Sequence, residues 1–109
     1  MLWYAGVEKG FDAVVMTGYH SAAYTDGNPL AHTTNLENQY IKINGNIASE
    51  FLINMYQAAY YGVPVILVSG DQALCHQVQE MCPQTETACV SEGCGGASIS
   101  IHPQMALKR

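Results

Sequence analysis

The sequence predicts an α/β fold: a three-layer, mostly parallel sheet flanked by helices, and incomplete as a domain. Three observations predict it. Two apolar runs, "FDAVVMTGY" (Phe11–Tyr19) and "VPVILVSG" (Val63–Gly70), are nearly uninterrupted, as strands buried on both faces of a parallel sheet are. Helical patterns lie between the strand signals, and strand-helix-strand order points to right-handed crossovers on one sheet. Third, a sheet of three or four strands covered by two helices needs further helices on its other face, and the residues before Phe11 are too few to supply them.

Each element has its own signal. "NQYIKINGN" (Asn38–Asn46) alternates, so it should pair near an edge with one face in solvent. "TETACV" (Thr85–Val90) is a weaker fourth strand. In "NIASEFLINMYQAAYYG" the residues Ile47, Phe51, Leu52, Met55, Ala58 and Ala59 form one stripe, with Asn46 as expected N-cap and Gly62 as the residue past the C-cap. A second helix, "SGDQALCHQVQEM", starts from Ser69 or Asp71 and stops before Pro83.

At 109 residues, the chain is one domain, residues 1–109, with a modest core. Apolar residues make up 49% and charged residues 12%, too apolar and too weakly charged for disorder. The scarcity of charge also suggests a surface partly covered by a partner subunit or by further chain. With a net charge of −5 and only Lys9, Lys42, Lys108 and Arg109 permanently basic, nucleic acid is not an expected partner. No apolar run reaches the ~20 residues needed to cross a bilayer, and "MLWYAGVEKG" lacks the features of a signal peptide, so the expected location is cytoplasmic. Cys75, Cys82, Cys89 and Cys94 are too widely spaced for a Cys-x-x-Cys motif and read as reduced thiols.

Candidate chemistry gathers around "GYHSAAYTDGNPLAHT" (Gly18–Thr33), which places two of the four histidines around one loop. His20 follows a buried strand at the C-terminal edge, where ligand sites of open α/β sheets collect. Position alone favours a plainer role, a hydrogen bond within the turn, over metal binding. His32 in "LAHT" follows the turn "DGNP", and Glu50 lies at the margin of the first helix's apolar stripe. A carboxylate near a helix N-terminus is already favoured by the helix dipole. It could also turn to the sheet edge and meet a histidine, but zinc needs at least three protein ligands. Asp71 in "VSGD" is explained by helix capping, and "SEGCGGAS" (Ser91–Ser98) shares only its glycines with a phosphate-cradling loop. His76 and His102 read as structural or exposed.

Four separate signals now combine: "GFDAVVMTGYHS", "LAHT", "INGNIASEFLINMYQAAYYG" and "VPVILVSGDQALC", with "SEGCGGASISIHP" beyond them. From Gly10 to Pro103 the chain resembles the D-aminopeptidase family of zinc metallopeptidases, the type encoded with dipeptide transport systems. The resemblance implies that His20 and Glu50 are metal ligands and that His32 is the active-site histidine beside the metal. It further implies two Zn²⁺ ions per complete site, release of N-terminal D-amino acids such as D-Ala from short peptides, and assembly into a ring-shaped homo-oligomer. The family's other ligands, on an Asp-x-Glu-Gly strand and a further histidine, have no match in these residues, so the likeness is to a C-terminal portion. The alternative expectation is a truncated, catalytically inactive relative acting as an assembly or binding module.

Overall fold

A computed structural model of the chain describes residues 9–22, 27, 31–33, 40–94 and 96–108. The first apolar run forms β1 (Val14–Tyr19). A short antiparallel hairpin follows, β2 (Lys42–Ile43) with β3 (Asn46–Ile47), and leads into α1 (Glu50–Tyr60). Then come β4 (Val65–Asp71), α2 (Gln72–Met81), β5 (Glu86–Cys94), β6 (Ala97–Ser100) and the single turn α3 (Pro103–Ala106). The main sheet runs β1-β4-β5-β6, parallel across its first two pairs and antiparallel at the last.

Helix ends follow from local chemistry. Ser49, not Asn46, caps α1: its hydroxyl accepts the Leu52 amide at 3.2 Å, while Asn46 is spent in the hairpin. At the other end Gly62 adopts φ +71°, its N–H donating to the Ala59 carbonyl at 2.9 Å and that of Val63 to Ala58 at 3.0 Å, a Schellman motif. Asp71 caps α2 through the Leu74 amide at 2.8 Å.

One core joins the layers. Val14, Met16 and Val68 of the strands pack with Phe51, Leu52 and Ala58 of α1 and with Leu74 and Val78 of α2. Val15, pointing the other way from its neighbours in β1, is 52% exposed, so the described residues cover only one face of this strand. A strand this apolar calls for a second covering layer, in keeping with an incomplete three-layer domain.

Two readings of the strands need correction. "YIKIN" does not join the main sheet; its alternation is satisfied by the separate hairpin, whose Ala48 amide donates back to the Ile41 carbonyl at 2.6 Å. The fourth strand extends to Cys94 and folds back as β6, pairing Cys94 with Ala97. In agreement with the sequence, the described residues of "SEGCGGAS" lie on or between the paired strands β5 and β6, and among the described residues no helix N-terminus follows its glycines to receive a phosphate. His76 is exposed on α2, and His102 caps α3 by accepting the Gln104 amide at 3.2 Å, with Pro103 in the first helical position. The turn "DGNP" lies outside the described residues except for Gly27.

Candidate metal centre

His20 leaves the sheet at the C-terminal end of β1, beside the C-terminal end of β4. The strand is irregular just before it: register shifts between Met16 and Tyr19, and Gly18 takes φ +71°, a conformation costly for any residue with a Cβ. The Gly18 amide donates to Ser69 Oγ on β4 at 3.3 Å. This local break re-aims the chain, so that the His20 side chain turns toward the start of α1.

Glu50 is the first residue of α1, directly after the Ser49 cap, and the cap therefore fixes where its carboxylate begins. His32 enters from the intervening loop. Its neighbour Thr33 is fully buried and donates its hydroxyl to the Ala48 carbonyl at 2.8 Å, tying the His32 segment to the residue two before Glu50. Sequence reasoning had no means of finding this bond, because a threonine in a loop carries no mark of its partner. The same holds for Asn54, one turn beyond Glu50 on α1, which is buried and donates its amide to the Tyr19 hydroxyl at 3.1 Å.

The structure brings all three candidate residues together. His20 Nε2 lies 3.9 Å from Glu50 Oε2, His32 Nε2 lies 3.8 Å from Glu50 Oε1, and the two imidazole rings are 4.3 Å apart, centre to centre. One ligand atom from each falls within 4.8 Å of the others, and no other such group of His, Cys, Asp or Glu occurs among the described residues. The two nitrogen–oxygen distances are too long for hydrogen bonds. They are close to the separation of two atoms sharing a tetrahedral zinc, about 3.4 Å for bonds of about 2.1 Å.

A second feature fits a metal. His20 Nδ1 is 2.8 Å from the Ser21 carbonyl, which can only accept, so Nδ1 must donate. In the neutral ring the lone pair then sits on Nε2, the nitrogen facing Glu50. Metal-binding histidines are held in this way by a carbonyl or carboxylate behind the ring. Two imidazoles and a carboxylate are a donor set suited to zinc.

Beside the histidines lies a cavity of about 330 Å³ lined by Gly18, Tyr19, His20, His32, Gly70, Val90 and Ser91, at the C-terminal edge of the parallel strands. A larger depression of about 660 Å³, among Met55, Pro64, Val65 and Thr85, lies at the opposite strand ends and holds no cluster of ligating side chains. In open α/β sheets it is the C-terminal edge that receives ligands. The cysteines take no part in the cluster: all four are free, and burial, followed by the neighbouring Cys89, pushes the Cys75 thiol from 9.0 up to about 11.

Comparison with known proteins places the chain in a family. Residues 1–109 match the D-aminopeptidase family, peptidase family M55. The D-aminopeptidase of Bacillus subtilis (strain 168) is 32% identical over 87 residues, which are 80% of this chain and 31% of that protein. A solved structure, the Zn-dependent D-aminopeptidase DppA from Bacillus subtilis, described as a self-compartmentalizing protease, superposes with a TM-score of 0.81 at 29% identity, over 90% of this chain and 36% of that one. The chain thus spans about a third of the length of the relatives it matches. No helix among the described residues is long and apolar enough to cross a membrane. By sequence and by fold, the chain belongs to the D-aminopeptidase family.

Proposed function

We propose that this chain supplies part of the active site of a zinc-dependent aminopeptidase acting on short peptides with an N-terminal D-amino acid, of the D-Ala type. The observation that carries the proposal is the convergence of His20, His32 and Glu50 within 4.8 Å at the C-terminal edge of the sheet. The zinc dependence of the solved relative supports it. In this reading His20 and Glu50 hold zinc, in a complete site with two ions, and His32 is the catalytic histidine.

Bound zinc would polarise the peptide carbonyl and make a water nucleophilic at neutral pH. The protein's own groups set up that chemistry. Ser21 fixes the tautomer of His20 and so keeps its Nε2 lone pair turned inward. Glu50 brings negative charge to the same point. His32, with its ring against that of His20 and its side chain 31% exposed toward the cavity, can take a proton from the attacking water and return it to the departing amine.

The short distance from His32 to Glu50 favours a second reading, in which His32 is itself the third ligand of a two-His, one-Glu site. Zinc content and D-Ala release from D-alanyl-D-alanine, measured on the purified protein, separate the readings. His20→Ala and Glu50→Gln should lose zinc and activity together; His32→Ala should lose activity and keep zinc. Loss of zinc in His32→Ala favours the second reading. Unchanged zinc and activity in all three variants overturns both, leaving an assembly or binding module.

We further propose a cytoplasmic homo-oligomeric ring. The self-compartmentalizing relative supports assembly.

A further inference from the structure

We propose that Asp71 is a positioning residue for the metal site, acting on His20 through the backbone of Ser21; the inference rests on His20 being a zinc ligand. Asp71 is 1% exposed, and a carboxylate so placed is tolerated only when its oxygens are hydrogen-bonded. Each oxygen has a backbone partner. Oδ1 accepts the Leu74 amide at 2.8 Å, the ordinary helix cap, and Oδ2 accepts the Ser21 amide at 2.6 Å, across 50 residues of sequence.

The second bond is what capping does not explain. A serine or asparagine caps a helix about as well as aspartate does, with its single side-chain oxygen. Only a carboxylate offers two acceptor oxygens to two amides at once. Ser21 is the next residue after His20, and its carbonyl is the group that receives His20 Nδ1 at 2.8 Å. Asp71 thus holds the amide of the residue whose carbonyl orients the imidazole. The chain of contacts runs from the Asp71 carboxylate through Ser21 to His20 Nε2 and Glu50. Gly70 tightens the arrangement, because it pairs with Tyr19 so closely that a Cβ there would strike the Tyr19 carbonyl.

The test compares Asp71→Asn and Asp71→Ser, which both keep a capping oxygen and lose the second acceptor, with Val78→Ala, which loosens the same helix without touching Ser21. Zinc affinity is measured by competition with a chelator, and site geometry by the visible spectrum of the cobalt(II)-substituted protein. Both Asp71 variants should weaken zinc by about tenfold, the lower end for residues that orient a ligand, and shift the cobalt bands. Val78→Ala should leave affinity within about twofold by the same measure. Native affinity and spectrum in the Asp71 variants, with zinc lost in His20→Ala, overturn the positioning role and leave the metal site standing. A loss in Val78→Ala equal to that of the Asp71 variants also overturns it, as general loosening. Native zinc affinity in His20→Ala refutes the underlying metal assignment itself.

Discussion

Replacing Ser49 by alanine tests how α1, and with it Glu50, is anchored. The Ser49 hydroxyl is fully buried and makes two bonds, accepting the Leu52 amide at 3.2 Å and donating to Gln77 Oε1 on α2 at 2.8 Å. Loss of the cap costs about 1 kcal/mol. Loss of the bond to Gln77, itself held by the Ile47 carbonyl at 3.2 Å, adds about 0.5–1.5 kcal/mol. The sum is about 1.5–2.5 kcal/mol, which at a urea slope of about 1–3 kcal/mol per molar moves the midpoint by about 1 M. Asn46→Ala, at the residue whose type also suits a cap, should stay within about 0.5 kcal/mol, because Asn46 lies on the exposed hairpin. Urea unfolding of metal-free protein gives both numbers, and metal-free conditions matter because bound zinc would add its own linkage. If Asn46→Ala costs more than Ser49→Ala, the account of where this helix begins is wrong.

Thr33→Val, which keeps shape and removes the hydroxyl, should cost about 1–3 kcal/mol by urea unfolding, since it leaves the Ala48 carbonyl short of a partner; it should also lower turnover through His32. Gly70→Ala should destabilise by about 1–3 kcal/mol in a thermal melt, because the new Cβ would meet the Tyr19 carbonyl and lie 2.8 Å from Leu74 Cδ2. Stability should fall as pH rises from 9.0 to about 11, because the unfolded Cys75 thiol releases its proton in that window while the buried thiol keeps it. Cys75→Ala should flatten the dependence of the urea midpoint on pH there, and an unchanged slope would show that other groups carry it.

Much of the fold was legible in the residues. The apolar runs around Val14–Met16 and Val65–Val68 gave two parallel strands, and the stripe Phe51, Leu52, Ala58 gave a helix whose end Gly62 marked correctly. What misled was local ambiguity. Asn46 and Ser49 are both good caps three residues apart, and the choice between them depends on the hairpin that consumes Asn46. β6 was missed because "ASIS" is four exposed residues with a single large apolar side chain, too little for a periodic signal. The detached hairpin was missed because alternation specifies a half-exposed strand without specifying its partner.

The sequence by itself determined the types of element and the chemistry available: two imidazoles, one carboxylate, and the buried stripes that fix which faces turn inward. Tertiary structure alone decided that side chains twelve and thirty positions from His20 would face one another across a few ångströms. It also decided that Asp71 and Thr33 would hold the segments that bear them. The reason is that hydrophobic pattern acts along the chain over a few residues, whereas a metal centre requires donors fixed in space by bonds between distant segments.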